Sequence, residues 1–169
     1  TDIAELEIKA DPRQGISEAI YQQYASKAAL AEGDVILIRD GTYLVGSSAL
    51  AGKNDAPALL CGGIYRLRST AHQTLSPFSL LGLLNLPLVR RQMRAKQFTR
   101  DVIDTLGKRF FEVQIPDPKS AYAANLGDKL EPLMRGKNLR SSKIVETIRS
   151  IEPRVPPQSV NRPGWSMRG

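Results

Sequence analysis

The stretch Gly33–Gly46, GDVILIRDGTYLVG, constrains the chain more than any other. Val35, Ile36, Leu37 and Ile38 form a continuous apolar run rich in β-branched residues, bounded by Gly33-Asp34 and Asp40-Gly41. Such a run suits a strand, and Asp-Gly suits a tight hairpin turn because it tolerates positive φ. The expectation is a buried strand, a turn at Asp40-Gly41, and a second strand reaching Gly46. Arg39, Asp40, Thr42 and Tyr43 would then be exposed together at the turn.

The flanking segments supply helices and further strands. Residues 2–9 suit either a short strand or an irregular lead-in, and Asp11 to Gly15 reads as a turn. Ser17 is placed as an N-cap with Glu18 in the first turn, and Ile16 and Tyr21 have the spacing of a hydrophobic staple. Ile20, Tyr21, Tyr24, Ala25 and Ala28 mark one apolar helix face. Gly52 to Asp55 reads as a loop, and Cys61 as a small packed hydrophobe. Ile64 to Arg68 alternates as a strand with Tyr65 and Leu67 on its packed face. Ser76-Pro77 starts a buried leucine-rich helix, which Pro87 restarts as an amphipathic one to about Gln97. Phe98 to Asp101 is expected to be loop. Phe110 to Ile115 alternates like a strand stopped by Pro116 and Pro118. Two helices follow, with stripes at Leu126, Leu130 and Leu133 and at Ile144, Val145, Ile148 and Ile151, joined by a basic loop at Arg135 to Asn138. From Pro153 the tail carries four prolines and reads as extended or disordered. The fold class is α+β: a small mixed β-sheet domain with packed helices, then a C-terminal helical segment and an extended tail.

A length of 169 residues suits one domain with a real core plus appendages. The net charge of +7 is unevenly spread. Residues 1–34 carry seven acids and three bases, whereas residues 90–109 carry seven bases and two acids, and residues 130–169 eight bases and three acids. This asymmetry favours a polyanionic partner, most simply nucleic acid. One cysteine excludes an intrachain disulfide and fits a cytoplasmic protein. No apolar run approaches the 18 residues of a membrane span, and no signal-peptide pattern is present. A chain starting at Thr1 reads as processed or as a piece of something longer.

Catalytic patterns are missing. His72 is the single histidine, so the usual zinc sites are excluded and a Ser-His-Asp arrangement has no nucleophile elbow to serve. There is no G-x-x-x-x-G-K phosphate loop and no Asn-Pro-Pro-aromatic run of the amino-methyltransferase kind. Glu7, Lys9 and Asp117 echo a nuclease metal site in the wrong order. The sequence reads as a binding module rather than an enzyme, with no cofactor of its own.

Three blocks in order carry a family resemblance: GDVILIRDGTYLVG, PALLCGGIYRLR (Pro57–Arg68), and SPFSLLGLLNLPLVRRQMRAKQFTRDVIDTLGKRFFEVQIPDP (Ser76–Pro118). They resemble the target recognition domain of type I restriction-modification specificity subunits, and equally the related DNA-recognition domains fused to adenine-specific DNA methyltransferases. The resemblance covers about residues 17–118. It implies sequence-specific double-stranded DNA binding without catalysis, one domain reading one half-site. The following helices would act as a spacer that docks methyltransferase and possibly restriction subunits. Methyl donor and metals would belong to those partners. It also implies a division into a recognition-like part (1–118), a helical spacer or docking segment (119–152) and a Pro-rich tail (153–169). The chain lacks the Pro-Leu-x-Glu-Gln run common after this domain, which favours the methyltransferase-fused form or a divergent phage-defence relative. With a single recognition domain, a homodimer or a second recognition unit is implied.

DNA recognition needs phosphate contacts for affinity and base contacts for specificity. The phosphate candidates are Arg90, Arg91, Arg94, Lys96 and Arg100, with Arg135, Lys137 and Arg140 as a second patch. The base-edge candidates are Arg39, Thr42 and Tyr43 at the hairpin turn, Lys53 and Asn54 in the next loop, and Gln97 and Thr99 after the basic helix. Tyr43 has the alternative of packing its ring on the core. The rival function is a protein-interaction or scaffold subunit whose basic surface and terminal helices dock a partner protein.

Overall fold

The computed structural model describes residues 3–4, 6–8, 15–69, 75–100, 103–136 and 141–151. Short strands β1 (Ile3–Ala4) and β2 (Glu7–Ile8) lead into helix α1 (Glu18–Ala28). Strands β3 (Val35–Ile38), β4 (Asp40–Gly41), β5 (Ser48–Leu50) and β6 (Ile64–Leu67) follow. Helices α2 (Pro77–Asn85) and α3 (Pro87–Lys96) precede strands β7 (Phe98–Arg100) and β8 (Ile103–Thr105), and α4 (Ala121–Arg135) and α5 (Ser141–Ile151) come last. The fold is mixed α+β, with two three-stranded antiparallel sheets ordered β5-β3-β6 and β4-β8-β7.

Strand β3 is buried along its whole length, which explains its unbroken apolar run. Val35 and Leu37 join a large cluster with Leu81, Leu84, Val89, Leu126, Leu130 and Ile148. Ile36 and Ile38 point the other way, into a smaller cluster with Leu30, Ala49 and Ala51. Helices α4 and α5 thus share one core with the sheet and with α2.

Local chemistry sets the helix ends. Ser17, Ser76 and Ser120 each accept a first-turn backbone N–H on the side-chain oxygen, the Ser76 bond from Ser79 at 3.0 Å. Pro87 separates α2 from α3, with Leu86 capping both. Buried Leu86, Val89 and Met93 form the inward face of α3.

Several expectations are corrected. The hairpin partner of β3 is Ser48–Leu50, not Thr42–Gly46, with Ile36 opposite Ala49. Gly46, at φ +80°, makes the turn and donates its N–H to the Ile38 carbonyl at 2.8 Å. Asp40-Gly41 instead pairs with Thr105 and Asp104, so the chain switches sheets where the turn was expected. Phe98 to Arg100 is a strand rather than a loop, because β8 supplies its partner. Phe110 to Ile115 is not a strand: Gly107–Glu112 forms a 3-10 turn, in which Phe110 stacks on Tyr65 and Phe111 is 73% exposed. Cys61 is exposed, just before the Gly62-Gly63 turn.

The apolar face expected of α1 contains no buried residue, and Ile20 and Tyr24 stand about half exposed. His72, the turn at residues 11–14, the basic loop at 137–140 and the tail from 153 lie outside the described residues. Among the described residues no helix is long and apolar enough to cross a membrane.

Asp34 closes the entrance to β3. Its carboxylate is buried, accepts the Ala31 N–H at 2.9 Å, and pairs with Arg68 at 2.6 and 2.8 Å. Burial pushes this carboxyl up, but the Arg68 hydrogen bond, the Ala31 N–H and the charges of Arg68 and Arg66 outweigh it and hold it below the usual carboxylate range. The stabilisation is therefore full above about pH 4 and fades as pH falls through the lowered value. Asp34→Asn is expected to cost about 1–3 kcal/mol at neutral pH and to flatten the acid limb of the stability curve. Urea unfolding at several pH values checks both, and an acid limb identical to the wild type would contradict the assignment.

Candidate nucleic-acid interface

The switch of strand β4 into the second sheet gathers a cationic and aromatic cleft. Arg39 lies between β3 and β4, and both its backbone groups are held: its N–H donates to the Gly63 carbonyl at 2.8 Å and its carbonyl accepts the Leu106 N–H at 3.0 Å. Its guanidinium donates Nε–H to Asp40 at 2.8 Å and lies over the Tyr65 ring, 5.5 Å from the centroid. The other Asp40 oxygen accepts the Thr105 hydroxyl, and Thr105 Oγ accepts the Gly107 N–H at 2.9 Å. The Arg39 hydrogen bond, offset in part by burial and joined by the Thr105 bond, keeps the Asp40 carboxyl below its ordinary range. Asp40 thus positions Arg39 and is itself fixed by β8.

An open cleft of about 400 Å³ is lined by Arg39, Asp40, Tyr65, Phe98, Ile103, Thr105, Gly107 and Lys108. The Tyr65 hydroxyl donates to the Gly107 carbonyl at 3.0 Å, and its ring stacks on Phe110 at 5.4 Å. Arg109 covers the partly exposed Phe98 ring at 4.6 Å. Phe98 therefore anchors an arginine as well as the strand. Lys108, Arg109, Phe111 and Ile103 were absent from the sequence-derived candidates. Phe111 fell within the segment expected as a strand, and the charge count already included Lys108 and Arg109.

The other candidates divide clearly. Tyr43 is 93% exposed, so its ring does not pack on the core, and Thr42 beside it is exposed. Both follow β4 directly. Thr99 is exposed on β7 and donates its hydroxyl to Asp104 at 2.8 Å. Gln97 instead donates its side-chain amide to the Val45 carbonyl at 3.0 Å, supporting the 42–47 loop.

Arg90 was expected on the outer face of α3 and is not there. It turns inward, donating to the Gly46 carbonyl and reaching Ser47 Oγ at 3.5 Å. The bend at Gly46 leaves a carbonyl without a strand partner, and the guanidinium takes that place. Arg91 and Arg94 are exposed. Lys96 pairs with Glu112 at 2.7 Å, a hydrogen bond and charge that lower the exposed Glu112 carboxyl.

Lys53 and Asn54 sit in a 3-10 turn and line a different cleft together with Arg135, Phe78 and Met134. Arg135 is paired with Glu131 at 2.8 Å and lies over the Phe78 ring at 5.4 Å. The base-edge candidates therefore fall into two groups rather than one. Lys137, Arg140 and the Arg100 side chain lie outside the described residues.

Chemically, the first cleft offers fixed guanidinium donors, an ammonium and apolar ring edges. Among the described residues no three His, Cys, Asp or Glu side chains gather to hold a metal. No protein-family model matches the chain, and no curated protein is significantly similar to it.

Proposed function

We propose that the chain is a non-catalytic double-stranded DNA recognition module of the restriction-modification or phage-defence kind. It directs a cytoplasmic partner, a DNA methyltransferase and possibly a restriction subunit, to a site or half-site. The observation that carries this reading is the cleft around Arg39, Phe98 and Lys108, where positioned cations stand beside the partly exposed Phe98 ring. Arg39 is held by Asp40 and presents a planar donor fork, the geometry best suited to the guanine edge. Lys108, Arg109 and Arg91 supply phosphate contacts, and the exposed Thr42, Tyr43 and Thr99 are further candidates for base contacts. The net charge of +7 and the three resembling sequence blocks point the same way.

Duplex binding by the full chain, measured against salt, tests the assignment. Each phosphate contact adds roughly 0.9 to the logarithmic salt slope, so Lys108→Ala/Arg109→Ala is expected to reduce that slope by about 2. A slope unchanged by the double substitution would remove this face from the interface.

The half-exposed Ile20 and Tyr24, four residues apart on α1, favour a second reading as a scaffold subunit that docks a partner protein. Sequence preference separates the two. The first reading predicts that the full chain prefers some duplex sequences over others, and the second predicts no preference among duplexes.

A further inference from the structure

Helices α3 and α5 enclose a crevice whose charged lining is entirely cationic. Arg90 and Arg94 come from α3 and Arg149 from α5, with Ser47, Ser48 and Asn85 as neutral polar neighbours. No carboxylate lines it. Among the described residues neither Arg94 nor Arg149 forms an ion pair with an acidic side chain. Arg90 is already committed through part of its fork to Gly46 and Ser47, yet a guanidinium has five N–H donors, so others remain. Burial, and then the charge of Arg94, push the Arg90 guanidinium below its ordinary value. Three like charges around one crevice are an arrangement that a bound anion relieves.

We propose that this crevice is a phosphate-binding site, with Arg90 as its fixed floor and Arg94 and Arg149 as the closing pair. A tetrahedral anion suits it because planar guanidinium forks engage two oxygens at once. Its volume of about 270 Å³ admits a phosphate group with a small substituent. Val145 and Ile148 form an apolar side wall, which lowers the local dielectric and strengthens the charge-assisted bonds. The crevice shares no lining residue with the cleft at Arg39. The phosphate belongs either to a nucleic-acid backbone or to a free phosphate ester.

The test is titration of the full chain with inorganic phosphate against chloride at matched ionic strength, read as the melting temperature and as 31P line broadening. Phosphate is expected to raise the melting temperature more than chloride does. Arg94→Gln and Arg149→Gln are each expected to weaken phosphate binding about tenfold, the usual effect of losing one charge-assisted contact. Both sites lie on exposed helix faces, and Arg90 is left intact because it supports the turn at Gly46. Equal effects of phosphate and chloride, or a response unchanged in the double variant, would overturn the site. A duplex that displaces phosphate assigns the anion to nucleic acid, and a nucleoside monophosphate that displaces it where the duplex does not assigns it to a free ester. Phosphate binding that survives while every duplex fails to bind would uphold this site and refute the DNA-recognition reading.

Discussion

Leu126→Ala is expected to cost about 2–5 kcal/mol of unfolding free energy, the range for deleting a fully buried leucine. Leu126 is 0% exposed, and its side chain packs against α2 at Gly82. A methyl group placed on Gly82 would sit 2.7 Å from Leu126 Cδ2, Leu126 Cγ and Leu130 Cδ1. Gly82→Ala is therefore expected to cost about 1–3 kcal/mol by overpacking, more than the roughly 1 kcal/mol that alanine gains over glycine in a helix. The two substitutions occupy the same space. The double variant should be less destabilised than the sum of the singles, with a coupling of about 0.5–3 kcal/mol. Denaturant unfolding of the four proteins measures this directly. Strict additivity, or a Leu126→Ala effect near zero, would show that α4 is an appended segment and not a wall of the core.

Arg39→Ala is expected to remove discrimination of about 1–3 kcal/mol, tenfold or more, at one base pair of the recognised site. Its effect on non-specific affinity should be that of one lost cation. Asp40→Asn separates positioning from charge. It releases Arg39 from its carboxylate partner while making the face more positive. Specific binding should fall while non-specific binding holds or rises. Because Asp40 stays ionised below its ordinary range, the readout should be constant at neutral pH and fail only as the pH drops under about 4. Paired titrations with the preferred duplex and a scrambled one report both quantities. Equal losses on the two duplexes would make Arg39 a phosphate contact only.

Much of the fold was legible because its signals are local. Ser17, Ser76 and Ser120 mark helix starts through a hydrogen bond three residues long. Pro87 divides two helices by steric necessity, and the Val35–Ile38 run could hardly be anything but a buried strand. The failures turned on which segment pairs with which, a property that composition alone does not carry. Asp40-Gly41 has the composition of a turn, yet β8, more than sixty residues later, recruits it as a strand. Phe98 to Arg100 has no strand signature of its own and owes its conformation to the same partner. Phe110 to Ile115 has perfect alternation but no neighbour to pair with, so it coils against Tyr65.

The site followed the same rule. Tyr43 and Thr99 were expected at exposed turn and loop positions and are exposed, whereas Arg39 is half-buried against Asp40 and Tyr65. Arg90 was misplaced because helical periodicity puts it on the cationic side of α3, while a carbonyl at Gly46 draws its long side chain inward. Lys108 and Arg109 were missed because their location depends on Gly107, whose φ of +45° starts the turn that brings Lys108 to the cleft and Arg109 over Phe98. Arg149 joins Arg90 and Arg94 only through the packing of α5.

The most direct measurement is selection of bound duplexes from a random DNA pool by the purified full chain, sequenced at two salt concentrations. The account predicts an enriched motif of a few base pairs that survives the higher salt and weakens at one position in Arg39→Ala. Binding that vanishes with salt and enriches no sequence would contradict it, leaving a basic surface without readout.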